Sequence, residues 1–178
     1  ASYIEVARHR SDKEYYTMHP LMYAYCRAAL NSNEFRHYRE GSSARFVGCF
    51  LDLVKGVTEK KTLDLIDEAS QDVVAAARLA KALRAWRELI GFRQCVGDFF
   101  RSRGYWRDYR EIVELAAEAC RALGEELELA ECLVGALAWY YLRLEDVETA
   151  RRHVENGYNL FAKHDHRPGM AQAKRHLG

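Results

Sequence analysis

Histidines and carboxylates are the residues of this sequence best suited to chemistry, and they gather at two places. One set has zinc-ligand types, His164-Asp165-His166 and, further along, His176. The other is an acidic run of Glu125, Glu126, Glu128 and Glu131. Two histidines in one loop are fewer ligands than a zinc site needs, so we interpret them as polar residues of a turn between helices. The glutamates fall where a helix is predicted to begin, and the helix dipole favours carboxylates there, so we predict no metal site and no acid–base pair.

Motifs of catalytic and nucleotide-binding sites are missing from the sequence. It has no G-x-x-x-x-G-K-[ST] loop, no G-x-S-x-G, no H-E-x-x-H and no dinucleotide fingerprint. Lys and Arg number 27 against 26 for Asp and Glu, so bulk charge attracts the chain neither to nucleic acid nor to anionic membrane. The cysteines form no C-x-x-C pair, which is typical of reduced thiols in a cytoplasmic protein. We therefore predict a cytoplasmic chain that is not an enzyme by itself and has no nucleic acid or membrane as partner.

The first 35 residues differ from the rest in composition. Tyr3–Val6 and Glu14–Met18 are β-branched and aromatic, and the polar stretch 9–13 between them can turn, so we predict a β-hairpin. A hairpin alone is marginal in water, and we expect it to pack on a helix that begins at His19-Pro20. The residues of that helix predicted to make the core contacts are Met22, Tyr23 and Tyr25.

Residues 31–43 are the weakest stretch for regular structure and mark the predicted domain boundary. Asn31-Ser32-Asn33 and Gly41-Ser42-Ser43 act there as breakers. Beyond them we predict an amphipathic helix over Ala44–Val57 and a long helix that Thr62 caps and that continues to Ala80. The predicted parts are the hairpin and helix at 1–35, a helical linker or first helical hairpin at 36–83, and helical repeats at 84–178.

The second half of the chain contains an internal repeat. A shift of forty-one positions matches Gly97 with Ala138 and Phe100 with Tyr141, which predicts the same helical hairpin at about 85–123 and again at 126–164. We expect two helices to cross closely at Gly97 and Ala138, with the two aromatic rings filling the space beside the crossing. We also expect Gly104 to end a helix in the left-handed conformation. Residues 167–173 restart the pattern, and this restart alone fits a truncated last unit and a capping helix equally well. The hairpin expected at the other end, which is itself only part of a domain, favours the truncated unit.

The motifs of this half, taken with the order of the parts, resemble a known family. The tetratricopeptide pattern of small residue, aromatic, turn and alanine is similar to Ala138, Tyr141, Glu145-Asp146 and Ala150. The first copy has Tyr109 in place of alanine, so we expect that hairpin to splay. Met18-His19-Pro20-Leu21 resembles the Met-His-Asp-Leu motif that ends the winged-helix domain of NB-ARC-type STAND signal-transduction NTPases. Phe99–Trp106 resembles the Arg-Gly-aromatic segment that opens their helical repeats, and the resemblance covers most of the chain.

The resemblance implies that the chain is the C-terminal part of a bacterial STAND protein. Its fold would be mostly α, with a β-hairpin and helix from a winged-helix domain followed by tetratricopeptide-like hairpins stacked in a right-handed α-solenoid. His19 matches the histidine that contacts the β-phosphate of ADP and senses the nucleotide, although Pro20 replaces the aspartate of the motif. ADP or ATP with magnesium would belong to the upstream core of the parent protein, and this chain would hold no cofactor. Standing alone, His19 is a helix-start residue.

The implied function is a non-catalytic sensor segment that recognises a protein or ligand and couples it to the nucleotide-binding core. The residues predicted to line its groove are Gln94, Arg101, Glu131, Gly135, Trp139 and Tyr140. The alternative is a stand-alone scaffold that binds a peptide partner. DNA binding by a winged helix is disfavoured, because Arg27 is the only formal positive charge from Glu14 to Leu30. Exposed ends of the solenoid favour self-association.

Overall fold

The computed structural model describes residues 4–8, 14–56 and 60–177, and the predicted mostly α-helical fold class is confirmed. Two short strands come first, β1 (Ile4–Arg8) and β2 (Glu14–Met18), and they pair antiparallel from Ile4 with Met18 to Arg8 with Glu14. The predicted turn at 9–13 lies outside the described residues. The helices that follow are α1 (Pro20–Leu30), α2 (Arg36–Lys55), α3 (Lys60–Glu68), α4 (Ser70–Ala82), α5 (Trp86–Arg103), α6 (Trp106–Leu123), α7 (Glu126–Glu131), α8 (Trp139–Arg143), α9 (Val147–Lys163) and α10 (Arg167–Leu177).

A π-helical segment, Cys132–Ala138, joins α7 to α8 without a break. We call the continuous element the 126–143 helix. Contacts between Cα atoms divide the chain into two compact units, residues 1–42 and 43–178, and the division falls inside α2.

The helix α1 of the first unit has no buried residue. Tyr23 and Tyr25 are 58% and 70% exposed, and Met22 is only partly buried. The prediction of core contacts is therefore wrong for Tyr23 and Tyr25. The physical reason is that neither of the described strands packs extensively on α1, so little of its apolar surface is buried among the described residues of this unit.

Helix α2 begins at Arg36, eight residues before the predicted start, and runs through Gly41-Ser42-Ser43. The Ser42 hydroxyl donates a hydrogen bond to the Tyr38 carbonyl at 2.6 Å, which satisfies this polar side chain inside the helix. Single Gly or Ser residues cost a helix only about 0.5–1 kcal/mol each. The prediction that these residues interrupt the helix is wrong, because the burial of Val47, Leu51 and Val54 in a helix of 20 residues outweighs that cost.

The long helix predicted from Thr62 to Ala80 is two helices, α3 and α4, that meet at Ala69. The backbone of Ala69 leaves the helical range, with φ −101° and ψ 14°. Ile66 before the break and Val73 after it are fully buried in the same hydrophobic cluster. The prediction of one straight helix is wrong because two shorter helices both reach that core.

Five successive helix connections share one backbone geometry. The residues with positive φ, between 48° and 83°, are Arg84, Gly104, Gly124, Glu145 and Asp165. The N–H of the residue after each donates to a carbonyl five residues earlier at 2.8–3.0 Å, for example Tyr105 to Phe100 and Asp146 to Tyr141. This bond closes a helix end and reverses the chain within two or three residues. The predicted left-handed helix end at Gly104 is confirmed.

The connections recur at intervals of 20, 20, 21 and 20 residues. Consecutive helices therefore form hairpins, and α5–α6 and α7–α9 lie where the repeat predicts them. The close crossing expected at Gly97 is wrong, because an added Cβ would meet only the Tyr109 ring at 3.8 Å. Gly97 instead leaves room for Tyr109, which is 5% exposed, whereas Ala138 and Ala150 are both buried in the second hairpin.

The second unit has two hydrophobic clusters. The main cluster extends from α2 through α6 into the π-helical segment and includes the fully buried Phe92 and Phe100. The smaller cluster lies between the 126–143 helix, α9 and α10, and its members are Ala130, Val134, Ala138, Val154, Phe161 and Ala173.

Candidate recognition groove

A groove lies between α5 and the 126–143 helix. It consists of two adjoining depressions of about 340 and 290 Å³, both lined by Gln94. In the larger one, Asp98 and Arg101 of α5 lie opposite Glu131 and Gly135. The α5 residues are three and four positions apart, so the helical repeat puts them on one face.

Ion pairs between the two helices set their relative direction. Arg87 contacts Glu125 at 3.3 Å, and six residues further along α5, Arg93 contacts Glu128 at 3.2 Å. Because both residue numbers increase together, α5 and the 126–143 helix run parallel. The walls of the groove are therefore formed by alternate helices of the chain, and α6 comes between them in the sequence.

Between matching hydrogen bonds at its two ends, the 126–143 helix contains one residue more than α5, the equivalent helix of the preceding hairpin. At its start, Leu129 N–H donates to Glu125, as Leu89 does to Ala85 forty positions earlier. At its end, the turn carbonyls of Phe100 and Tyr141 are forty-one positions apart. The π-helical segment takes up the added residue, as such segments commonly do, and they occur often at functional sites.

Gly135 lies inside the π-helical segment and leaves the groove open at its middle. A Cβ at this position would be 3.3 Å from Gln172 Nε2 of α10 and 3.5 Å from Glu131 Oε2. Any larger residue would therefore crowd the polar atoms of both side chains. The glycine keeps the Glu131 carboxylate accessible.

Most charges in the groove are paired within it. Besides the two interhelical pairs, Arg101 Nη2 contacts Asp98 at 2.9 Å, and Gln94 Nε2 donates to Glu128 at 3.3 Å. Glu131 differs from them, because it has no ion pair or hydrogen bond with any described residue. It is also partly buried.

Trp139 carries an aromatic and cationic cluster at one end of the groove. The guanidinium carbons of Arg101 and Arg143 lie 5.6 and 5.5 Å from its ring centroid. Trp106 lies 5.4 Å from Trp139 and is itself covered by Arg143 at 5.1 Å. We call these four residues the tryptophan–arginine cluster. Arginine over an indole face is attracted by the ring quadrupole, which holds the flat rings in place.

The structure brings together most of the predicted groove residues. Gln94, Arg101, Glu131 and Gly135 line the larger depression, and Trp139 lies under Arg101. Tyr140 is placed elsewhere: it is 8% exposed and contacts Arg110 and Tyr141. Consecutive helical residues point about 100° apart, so Trp139 and Tyr140 cannot face the same side.

Other residues that line the larger depression were not predicted: Arg93, Gly97, Asp98, Tyr109, Ala136 and Gln172. Helical spacing from Gln94 to Arg101 would have found Asp98. Gln172 comes from α10, and only the packing of that helix brings it to the groove.

Two side chains near the groove, Tyr109 and Cys132, have pKa values above their ordinary ones. Burial is the main cause that raises the pKa of Tyr109. A hydrogen bond with Cys120, together with burial, raises the pKa of the Cys132 thiol well above its usual range. A thiol in that state is neither a nucleophile nor a metal ligand at neutral pH.

Three of the histidines singled out in the sequence, His19, His164 and His166, have hydrogen-bond partners. His19 is exposed, and its Nδ1 accepts a hydrogen bond from Leu21 N–H at 3.3 Å, which caps α1. His164 Nε2 lies 2.7 Å from Glu126 Oε2, and His166 Nδ1 accepts from Gly169 N–H at 3.2 Å. Within the described part of the chain, no three His, Cys, Asp or Glu side chains are grouped to hold a metal ion.

No protein-family model, curated protein or solved structure matches this chain. None of the described helices combines the length and apolar composition that a bilayer-spanning segment needs.

Proposed function

We propose that this chain is a non-catalytic recognition segment whose groove binds an extended part of a protein partner. The observation that carries the proposal is the groove itself, a concave surface between parallel helices that holds an accessible carboxylate, two amides and the tryptophan–arginine cluster. Stacked helical hairpins present such surfaces on the first helix of each unit.

Support for a tetratricopeptide-like stack comes from the second helices of the hairpins. Gln71 of α4 donates to Asp108 of α6 at 3.2 Å, and Lys81 contacts Glu118 at 2.6 Å. The residue numbers of the paired side chains again increase together on both helices. Helices α4 and α6 are therefore parallel, as α5 and the 126–143 helix are. Alternate helices in parallel, joined by tight turns at nearly equal intervals, are the arrangement that a solenoid requires.

More particularly, we propose that the chain is the sensor of a STAND-type signalling NTPase. In this proposal the strands and α1 belong to a winged-helix domain, residues 36–83 link it to the repeats, and His19 reports the nucleotide bound to the upstream core. A partner in the groove then shifts the resting equilibrium of the parent protein by its differential affinity for the two states. A P-loop domain encoded directly upstream is the expected finding; without it the stand-alone scaffold remains, which the capping role of His19 favours.

Phage display tests the groove directly. Random dodecapeptides are selected on the wild-type chain, and each is then measured against Gly135→Val, which fills the middle of the groove. The control is Gly48→Val in α2, where an added Cβ has no atom within 4 Å. We expect about tenfold weaker binding to Gly135→Val, or about 1.4 kcal/mol, and none of this loss in the control. Peptides that bind all three chains equally would refute the proposal.

A further inference from the structure

Glu131 is the charged residue of the groove that makes no ion pair or hydrogen bond with the described residues. The cations Arg87, Arg93 and Arg101 are each within 3.3 Å of a carboxylate, and these pairs neutralise one another. Among the charged residues that line the two depressions, one negative charge remains, on the side chain of Glu131, which is partly buried and unpartnered among the described residues. A carboxylate in this position loses hydration without gaining a cation in return.

The groove leaves space beside this carboxylate for a ligand. Gly135 contributes no side chain to cover Oε2, and the depression beside it has a volume of about 340 Å³. Gln172 of α10 also lies close to Gly135, and its amide can accept or donate hydrogen bonds. An incoming group therefore meets one carboxylate oxygen and one amide at the floor of the depression.

The sign of the remaining charge selects the chemistry of the ligand. An anionic group would have to displace Asp98 or Glu128 from its arginine and would approach Glu131 at the same time. A cationic group meets no such competition, and a charge-assisted hydrogen bond to a carboxylate is among the strong ones.

We infer that the groove takes a lysine or arginine side chain of an extended peptide segment, and that its ammonium or guanidinium group pairs with Glu131. The inference rests on the proposed function and names the partner of that same groove. The rest of the segment lies along α5 toward the tryptophan–arginine cluster.

Peptide pools of defined centre test the inference. The probes are acetylated, amidated heptapeptide pools with Lys, Arg, norleucine or Glu at the central position and mixtures of uncharged residues elsewhere. Acetylation removes the terminal ammonium, so that the central side chain supplies the only charge. We expect the wild-type chain to bind the Lys and Arg pools about five- to tenfold more tightly than the norleucine pool.

Matched variants identify the group that makes the preference. Glu131→Gln keeps the shape of the side chain and removes its charge, and it should abolish the preference for basic pools. Glu131→Asp should restore part of it. Glu155→Gln, at an exposed position of α9, should bind like the wild type.

The outcomes separate this inference from the proposed function. Equal binding of all pools to the wild type, lost in Gly135→Val, would retain the groove and overturn the basic residue. A preference for the Glu pool would overturn it too. Binding that no substitution at Gly135 or Glu131 alters would remove both.

Discussion

Gly157 lies where α9 closely approaches the 126–143 helix, and replacing it with alanine tests that approach. A Cβ here would overlap Cγ2 of Val134 and lie 3.2 Å from the carbonyl oxygen of Ala130. The valine methyl can turn away only into other buried atoms, and the carbonyl belongs to the backbone of the facing helix. Gly157→Ala therefore forces the two helices apart or strains one of them.

The magnitude follows from two opposing effects. Replacing glycine by alanine inside a helix stabilises it by about 1 kcal/mol. Overpacking a well-filled core costs about 1–3 kcal/mol. At Gly157 both apply, and we expect the free energy of unfolding to fall by up to about 2 kcal/mol. At Gly48 only the first applies, because nothing lies within 4 Å of the added Cβ. Gly48→Ala is therefore the matched control and should raise the free energy of unfolding.

Urea denaturation followed by far-ultraviolet circular dichroism measures both variants. Gly157→Ala should be less stable than Gly48→Ala by about 1–3 kcal/mol, which is the overpacking cost, with the same slope against denaturant. If Gly157→Ala were as stable as Gly48→Ala, the close crossing of α9 with the 126–143 helix would be refuted.

Three further predictions concern the turns, the π-helical segment and pH. Arg84→Gly and Glu145→Gly, at φ 56° and 59°, should each raise the free energy of unfolding by about 1 kcal/mol, measured by thermal unfolding; a loss would show that these side chains do more than strain the turn. Deletion of Gly135 should turn the π-helical segment into ordinary α-helix and keep the helical circular dichroism while peptide binding disappears; global unfolding would contradict the single-residue insertion. His153 is half-buried against Tyr141, and burial is the main cause that holds its pKa below the usual 6.5. The unfolded chain thus takes up the proton first, so this stabilisation is present above pH 6.5 and is lost as pH falls through the folded pKa. His153→Phe should lessen the acid destabilisation, and an unchanged pH profile would exclude His153 as its source.

The helical hairpins were predictable because their signals are local. Gly104 and Gly124 are helix-ending residues by type, and the periodic apolar residues between them specify which face is buried. Arg84 and Glu145 end helices in the same way without being glycine, so the chain reversals at these positions follow from the lengths of the flanking helices and not from residue type.

Predictions failed where tertiary packing decided the outcome. Gly41-Ser42-Ser43 has poor helix propensity, yet α2 passes through it because burial further along the helix outweighs a small local cost. The predicted long helix is interrupted at Ala69, although alanine is an excellent helix former, because α3 and α4 both contribute to one core.

The groove shows the same division between local and tertiary signals. Gln94 and Arg101 share a face of α5 by helical spacing alone, and Glu131 and Gly135 share a face of the facing helix. Gln172 arrives from a helix thirty-seven residues beyond Gly135, and the extra residue of the π-helical segment becomes visible only when hydrogen bonds of the two hairpins are compared.

The smaller hydrophobic cluster holds α10, and no described residue of α10 packs on the main cluster, so α10 can open without exposing it. Its six members join α9 and α10 to one face of the 126–143 helix. Local opening exposes backbone amides to exchange with solvent, so the amides of α10 should exchange sooner than those of the helices in the main cluster. A ligand that contacts both α5 and Gln172 would link α10 to α5. Binding in the groove should therefore reduce the local opening of α10 and slow the exchange of its amides.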